Sequence, residues 1–250
     1  MLIALLKFLD PLVVLCFELH DFASSFIAKN FLVIKRGMLV VAYLSLLWIL
    51  FPETRRSFGN AAEAMLLFIL FLSPISKIFR MRLLFQAMGL RRELGILMGC
   101  FALVHGAAYF IDPASFSFDI APYLNTHFFS MQPLFYFGIF SLALTVPLLL
   151  TSNNLSQRVL GGRRWKILHR IVYVLLLVVL LHVLFLRSMR GGYSVIEWIP
   201  PISIILGYIL LKVLAWKNFL PFLRDGIADV SARYTAFALA KKARTPLQAP

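Results

Sequence analysis

Six long apolar runs constrain the fold of this sequence more than any other feature. A helix that crosses the hydrocarbon core of a bilayer needs about 20 mostly apolar residues. The runs, designated spans A to F, cover residues 38–51 (extended backward by Phe31–Ile34), 61–79, 94–111, 128–150, 167–186 and 195–216. They predict an all-α integral membrane protein with a bundle of six transmembrane helices.

The amino-acid composition supports a membrane location. Apolar residues fill 61% of the 250 positions and charged residues only 14%, whereas soluble domains carry about 25% charged residues. A globular core cannot bury so much apolar surface, which excludes a water-soluble enzyme. The two cysteines, Cys16 and Cys100, lie in apolar runs without a CxxC pair, so neither a disulfide nor a thiolate metal site is expected.

Basic residues are distributed unequally along the chain. The segments before A, between B and C, between D and E, and after F hold 18 Lys and Arg residues, whereas the opposite loops hold four. Because cytoplasmic loops are enriched in Lys and Arg, both ends of the bundle are predicted to face the cytoplasm. The net charge of +14 is therefore attributed to loops beside membrane lipid and not to nucleic-acid binding.

Two segments are predicted to flank the six-helix domain, which covers residues 31–216. Residues 1–30 are apolar but interrupted by Lys7 and Asp10-Pro11. They favour an interfacial or re-entrant helix, and a seventh span stays open. Residues 217–250 mix basic and apolar side chains, which predicts a basic amphipathic helix on the cytoplasmic leaflet.

Three of the five histidines fall inside the predicted spans, His105 in C and both His169 and His182 in E. Ionisable groups within a membrane mark functional sites, and neutral imidazole is the common axial ligand of haem iron. At about 1.5 Å per residue, His105 lies about 18 Å above Glu93 and His182 about 24 Å above Lys166. The levels are similar, so a haem b between C and E could take one ligand from each span.

His169 lies at the other, inner level of span E. It is 13 residues from His182, and this spacing points the two side chains about 140° apart on an ideal helix. Periodicity alone therefore does not predict two stacked haems. A second, inner haem through His169 stays open, with Arg91 as the best candidate for its other ligand. The arginines that could pair with haem propionates are Arg163, Arg164 and Arg170.

Two other function classes stay open at this point. The same histidines could form the relay of a proton-coupled membrane transporter, although the spans hold no carboxylate at mid-depth and no inverted repeat. Alternatively, the chain could be a scaffold subunit that recruits a partner through its basic tail. A single membrane histidine is also often only an interhelical hydrogen-bonding group.

Two stretches of the sequence resemble ferric-reductase-like transmembrane haem proteins. Residues 91–95 (RRELG), followed by His105, are similar to the RRxLG…H pattern of that family. Residues 150–152 (LTS), residues 165–173 (WKILHRIVY) and His182 resemble its LTS…WxxLHRxVY…H pattern. Within the family, the sequence is most similar to the haem-binding membrane subunit of bacterial protein-methionine-sulfoxide reductase systems.

The resemblance implies a b-type haem electron-transfer protein, the membrane subunit of an oxidoreductase system in the bacterial inner membrane. It implies one haem b or two, bound by His105, His169 and His182. Electrons would enter from a quinol or a separate cytoplasmic flavin reductase, with FMN or quinone as a further redox group. They would leave to a periplasmic molybdopterin reductase. Residues 119–127 depart from the basic-Arg-Pro-Tyr pattern expected in that branch.

Overall fold

The protein, described here by a computed structural model for residues 2–112, 117–118, 133–191 and 195–217, is built from helices. The α-helices are α1 (Leu2–Ser45), α2 (Arg55–Phe79), α3 (Arg82–Gly89), α4 (Arg91–Ala107), α5 (Pro133–Leu150), α6 (Asn154–Leu168), α7 (Val172–Gly191) and α8 (Ile199–Lys217). Short 3₁₀ helices lie at Leu46–Leu50, Pro52–Thr54, His169–Ile171 and Val195–Trp198. Strands β1 (Ile111–Asp112) and β2 (Ser117–Phe118) form one small antiparallel ladder. The predicted all-α class is confirmed.

Four helical segments in the described residues are long and apolar enough to cross a membrane. They are Glu18–Leu50, Arg55–Phe79, Asn154–Arg187 and Val195–Trp216, and they contain the predicted spans A, B, E and F. Span D corresponds to the shorter apolar helix Phe135–Leu150, and residues 128–132 lie outside the described part of the chain. Span C corresponds to α4, which has 17 residues. The chain is therefore a multi-pass helical membrane protein, and the count of six spans stays a prediction.

Helix α1 covers Leu2–Ser45, and within it the predicted N-terminal segment continues into span A. Asn30 has non-helical backbone angles, with φ −105° and ψ 16°, so a kink marks the predicted boundary. The Asn30 side-chain amide donates to the Phe26 carbonyl at 3.0 Å, which supplies that carbonyl with a donor near the kink. The candidate span also begins earlier than predicted, at Glu18. Residues 218–250 lie outside the described chain, so the amphipathic tail stays a prediction.

Two segments that were predicted as basic loops are helical, which corrects the boundaries of spans C and E. Helix α3 occupies the segment between B and C, and α6 occupies the segment between D and E. Asn153 begins α6, because its side-chain oxygen accepts a hydrogen bond from the Ser156 amide at 2.7 Å and so satisfies a free amide of the first turn. Gly161 interrupts α6 at φ 73°, a conformation that glycine adopts without steric cost. The 3₁₀ turn His169–Ile171 then separates α6 from α7.

The chain divides into two compact units. The first comprises residues 1–31, 72–89 and 211–250, and the second comprises residues 32–71 and 90–210. In the second unit, α2, α4, α5 and α7 share a core whose buried members include Leu66, Leu70, Met98, Leu148, Leu175 and Leu180. Large apolar side chains also remain exposed on these helices, among them Phe68, Phe140 and Leu177. Such surfaces are stable only where lipid replaces water.

A buried carboxylate lies in the first turn of α4. Glu93 is 1% exposed, and its Oε1 lies 3.6 Å from Lys35 Nζ and 3.1 Å from Arg92 Nη2. Arg92 also donates to the side-chain oxygen of Asn154, at the start of α6. These contacts connect α1, α4 and α6. Because a buried charge is costly unless it is paired, the carboxylate depends on the two cations.

The substitution Lys35→Met is expected to destabilise the protein more than Glu93→Gln. Removing one partner of a buried ion pair costs up to about 3–5 kcal/mol, and here Arg92 retains part of the pairing. Glu93→Gln instead leaves two partly exposed cations that water can reach. Thermal unfolding in detergent measures both variants and the double variant. The double variant should be more stable than Lys35→Met alone, and the opposite order would contradict the ion pair.

Candidate functional site

The structure brings His105 of α4 and His182 of α7 together inside the second unit. Their ring centroids are 6.3 Å apart and the ring planes are inclined at 76°. The two residues are 77 positions apart in the sequence, so the packing of α4, α5 and α7 creates this proximity. Both side chains are partly buried. The similar depths that the sequence predicts for them agree with this arrangement.

A backbone carbonyl sets the orientation of the His105 ring. His105 Nδ1 lies 2.8 Å from the Arg55 carbonyl oxygen, and a carbonyl can only accept, so the Nδ1–H donates. The proton on Nδ1 leaves the lone pair on Nε2 available for a metal. The Tyr109 ring packs with its edge against His105, at 5.5 Å between centroids, and the Arg55 guanidinium lies 4.3 Å from the centre of the Tyr109 ring.

Two glycines allow the histidine rings to lie against neighbouring helices. A Cβ atom at Gly59 of α2 would lie 2.7 Å from His105 Nδ1, and one at Gly138 of α5 would lie 3.0 Å from His182 Cε1. Carbon atoms in proteins essentially never approach a ring as closely as the first of these distances. Gly59 is therefore required for the observed position of His105, and Gly138 leaves the space that His182 occupies.

The geometry and the donor set of the pair fit haem iron. A metal–imidazole bond is about 2 Å long and the ring centre lies about 1 Å beyond the nitrogen, so rings on opposite sides of one ion have centres about 6 Å apart. Within the described residues, no group of three His, Cys, Asp or Glu side chains is placed to hold a metal. A zinc site needs three or four such ligands. Haem iron takes four nitrogen ligands from the porphyrin and needs at most two from the protein.

His169 lies in a separate cluster that the structure assembles around Thr151. His169 Nε2 is 3.2 Å from Thr151 Oγ1, and the His169 ring stacks on Trp165 with 4.0 Å between centroids. Trp165 Nε1 donates to the Thr151 carbonyl at 2.8 Å. Among the described residues, Arg91 makes no hydrogen bond or ion pair with His169. The structure thus joins the LTS and WxxLH stretches without joining His169 to the His105–His182 pair.

The three arginines that were predicted to pair with haem propionates lie at the surface. Arg163, Arg164 and Arg170 are exposed, and Arg91 is partly buried. No described carboxylate forms an ion pair with any of them. The propionate role of the three exposed guanidinium groups therefore stays a prediction.

Sequence reasoning missed the groups that position the histidines. The Arg55 carbonyl carries no residue-specific signal, because every residue has one. Gly138 does carry a signal, since it interrupts an apolar helix with a residue that has no side chain and small residues permit close packing. Gly59 lies in the polar stretch RRSFGN (residues 55–60) before span B and carries no comparable signal. The ion pair of Glu93 with Lys35 was also missed, although a lone carboxylate at the start of an apolar helix requires a partner.

Fold and site together define a helical membrane protein that pairs histidines from two different helices within its core. Comparison with known families gives a more specific result. Residues 36–180 match the family described as "Ferric reductase like transmembrane component", and the chain belongs to this family. The matched range includes His105 and His169 and ends shortly before His182.

Individual relatives agree with the family assignment. The chain is similar to proteins named "Protein-methionine-sulfoxide reductase heme-binding subunit MsrQ" from Brucella ovis, Brucella canis and Brucella suis. Each is 35% identical over 153 residues, which is 60% of this chain and 62% of the relative. The match thus spans less than two thirds of these relatives. No solved structure matches the chain.

The substitution Thr151→Val is expected to destabilise the protein by about 1 kcal/mol, because it removes the hydroxyl that bonds the His169 ring. Thr151→Ser should retain most of the stability. Chemical unfolding in detergent measures both. The matched control is Thr145→Val, whose hydroxyl donates only within its own helix, to the Ser141 carbonyl, and whose loss should be nearly neutral. Equal losses at 151 and 145 would contradict the specific contact with His169.

Proposed function

We propose that this chain is a haem-binding membrane subunit that passes electrons across the bacterial inner membrane. The observation that carries the proposal is the separation of 6.3 Å between the His105 and His182 rings. Membership in the ferric-reductase-like family supports it independently. The names of the Brucella relatives assign haem binding to those proteins, and we extend that property to this chain.

His105 and His182 are proposed as the residues that would hold one haem b. When bound, the haem supplies reversible one-electron exchange at its iron. Two histidine ligands would leave no open position for oxygen, which favours electron transfer over oxygen chemistry. The Arg55 carbonyl holds the His105 proton on Nδ1, and Gly59 and Gly138 give the rings their positions.

A second haem at His169 is a separate proposal. It requires His169 Nε2 to exchange its contact with Thr151 Oγ1 for a metal bond, because the two use the same atom. Arg91 remains the candidate for the second ligand of this inner haem. We therefore assign one haem to the His105–His182 pair, and a count of two haems per chain would point to His169.

The donor and the acceptor are proposed from the relatives and from the distribution of charge. The relatives are named as subunits of a protein-methionine-sulfoxide reductase, so a reductase is the proposed acceptor. Its periplasmic location and its molybdopterin are proposed from the family resemblance of the sequence. A quinol or a cytoplasmic flavin reductase is the proposed donor, with quinone or FMN as the carrier. The positive-inside distribution of Lys and Arg supports this direction, with both ends of the bundle in the cytoplasm.

Redox difference spectra of the purified protein test the proposal. The wild type should give a b-type signal, and His105→Ala and His182→Ala should each lower the haem bound per chain by about tenfold or more. The control is His20→Ala, since His20 lies on α1 and bonds only Asp21 among the described side chains. A haem-free wild type with pH-dependent solute uptake would favour a proton-coupled transporter instead.

The substitution Gly59→Ala is expected to weaken haem binding without removing a ligand. Its Cβ would collide with the His105 ring, and misorienting a metal ligand typically costs about tenfold or more in affinity. The measurement is haem retention during titration with a competing haem-binding protein. Gly95→Ala is the matched control, because a Cβ there meets no atom within 4 Å. Equal retention in the two variants would contradict the role of Gly59.

A further inference from the structure

A second candidate site lies in the first compact unit, which does not contain the histidine pair. An open cavity of about 620 Å³ is lined by Ala28, Phe31, Arg80, Arg82, Phe85 and Gln86. All six residues belong to the unit formed by residues 1–31, 72–89 and 211–250. The lining combines two cations, two phenyl rings and one amide. That combination suits an amphiphile with an anionic group.

The two arginines supply the charge of the cavity. Neither Arg80 nor Arg82 makes an ion pair with a carboxylate in the described chain, and both are exposed. Guanidinium groups bind phosphate through paired hydrogen bonds, which makes them the preferred residues for that anion. Both arginines belong to the basic segment between spans B and C, which is predicted to lie at the cytoplasmic surface where lipid headgroups are found.

Arg80 occupies a left-handed backbone conformation that glycine and asparagine adopt more readily than arginine does. Its φ is 49°, in the left-handed region, and its amide donates to the Ser76 carbonyl at 3.1 Å at the end of α2. Glycine or asparagine usually fills such a helix-ending position. An arginine there carries a local steric cost, and such costs cluster at functional sites. The side chain held at this costly position is the Arg80 guanidinium, which lines the cavity.

Gln86 supplies a hydrogen-bond acceptor that the protein does not use. Its Nε2 donates to the Ser24 carbonyl at 2.8 Å, which fixes the orientation of the amide, because the reverse orientation would bring two oxygens together. Its Oε1 is buried and has no partner in the described structure. An unpaired buried acceptor is costly. A ligand O–H or N–H donor would satisfy this atom after the Gln86 side chain shifts enough to expose it to the cavity.

The apolar part of the lining comes from Phe31 and Phe85. Phe85 is 53% exposed. The two rings provide a surface for an acyl chain.

We propose that this cavity binds an anionic glycerophospholipid with a hydroxyl-bearing headgroup, of which phosphatidylglycerol is the simplest. The phosphate accepts hydrogen bonds from Arg80 and Arg82. A headgroup hydroxyl donates to Gln86 Oε1, and the start of an acyl chain packs on Phe31 and Phe85. The site is independent of the proposed haem, so either proposal can fail without the other.

Native mass spectrometry of the full chain in detergent tests the site. Phosphatidylglycerol should bind to the wild type at least tenfold more tightly than phosphatidylcholine, whose headgroup has no donor. Arg80→Gln with Arg82→Gln should weaken phosphatidylglycerol binding by about thirtyfold, from about fivefold for each basic residue near a lipid headgroup. The matched control is Lys77→Gln, an exposed cation near the end of α2 and outside the lining, which should lower the affinity less than the loss of either arginine.

Two further measurements test whether local unfolding explains the loss of binding and whether the site binds other phosphate compounds. Arg80→Gly relieves the left-handed backbone, so its melting temperature without lipid should not fall while its affinity for phosphatidylglycerol falls about fivefold. Soluble glycerol phosphate and FMN should not displace the lipid. Equal losses in Lys77→Gln and the arginine variants, no preference for the hydroxyl headgroup, or displacement by either soluble phosphate would overturn the proposal.

Discussion

Hydrocarbon offers no hydrogen bonds, and this absence determines where the polar groups of the protein lie. Each polar side chain within an apolar helix must be satisfied by the chain itself or by a bound group. Thr145 donates back to the carbonyl of Ser141 in its own helix. His105 reaches a different segment and uses the carbonyl of Arg55. The bond that satisfies one ring nitrogen of His105 thereby decides which nitrogen remains for a metal.

The broad architecture follows from the sequence because its causes are local. Long apolar runs become helices, and the described residues contain four segments that can cross a bilayer. The helical segments between the runs were missed because short capping signals decide them: Asn153 starts α6 within a stretch whose charge resembles that of a loop. The continuity of α1 was missed because residues 1–30 were predicted as a segment separate from span A, whereas the structure has only a kink at Asn30 within α1.

The histidine pair shows both the reach and the limit of sequence reasoning. Similar depth on two helices predicted that His105 and His182 could lie close together, because the rise per residue is nearly constant. Rotation about the helix axis was less predictable. The comparison of His169 with His182 assumed one ideal helix, and the 3₁₀ turn at His169–Ile171 changes the angular relation between α6 and α7. The partners Arg55, Gly59 and Gly138 come from other helices, so tertiary packing alone reveals them.

The hydrogen bond of His105 has a consequence for how the protein tolerates substitution. Its acceptor is a main-chain oxygen, which every amino acid provides, so exchanging the side chain at position 55 leaves the acceptor in place. Position 59, one helical turn later, has no such freedom, because any side chain there enters the space of the imidazole. Two neighbouring positions that serve the same ring should thus differ sharply in a saturation library: one permissive to nearly all residues, the other restricted to one.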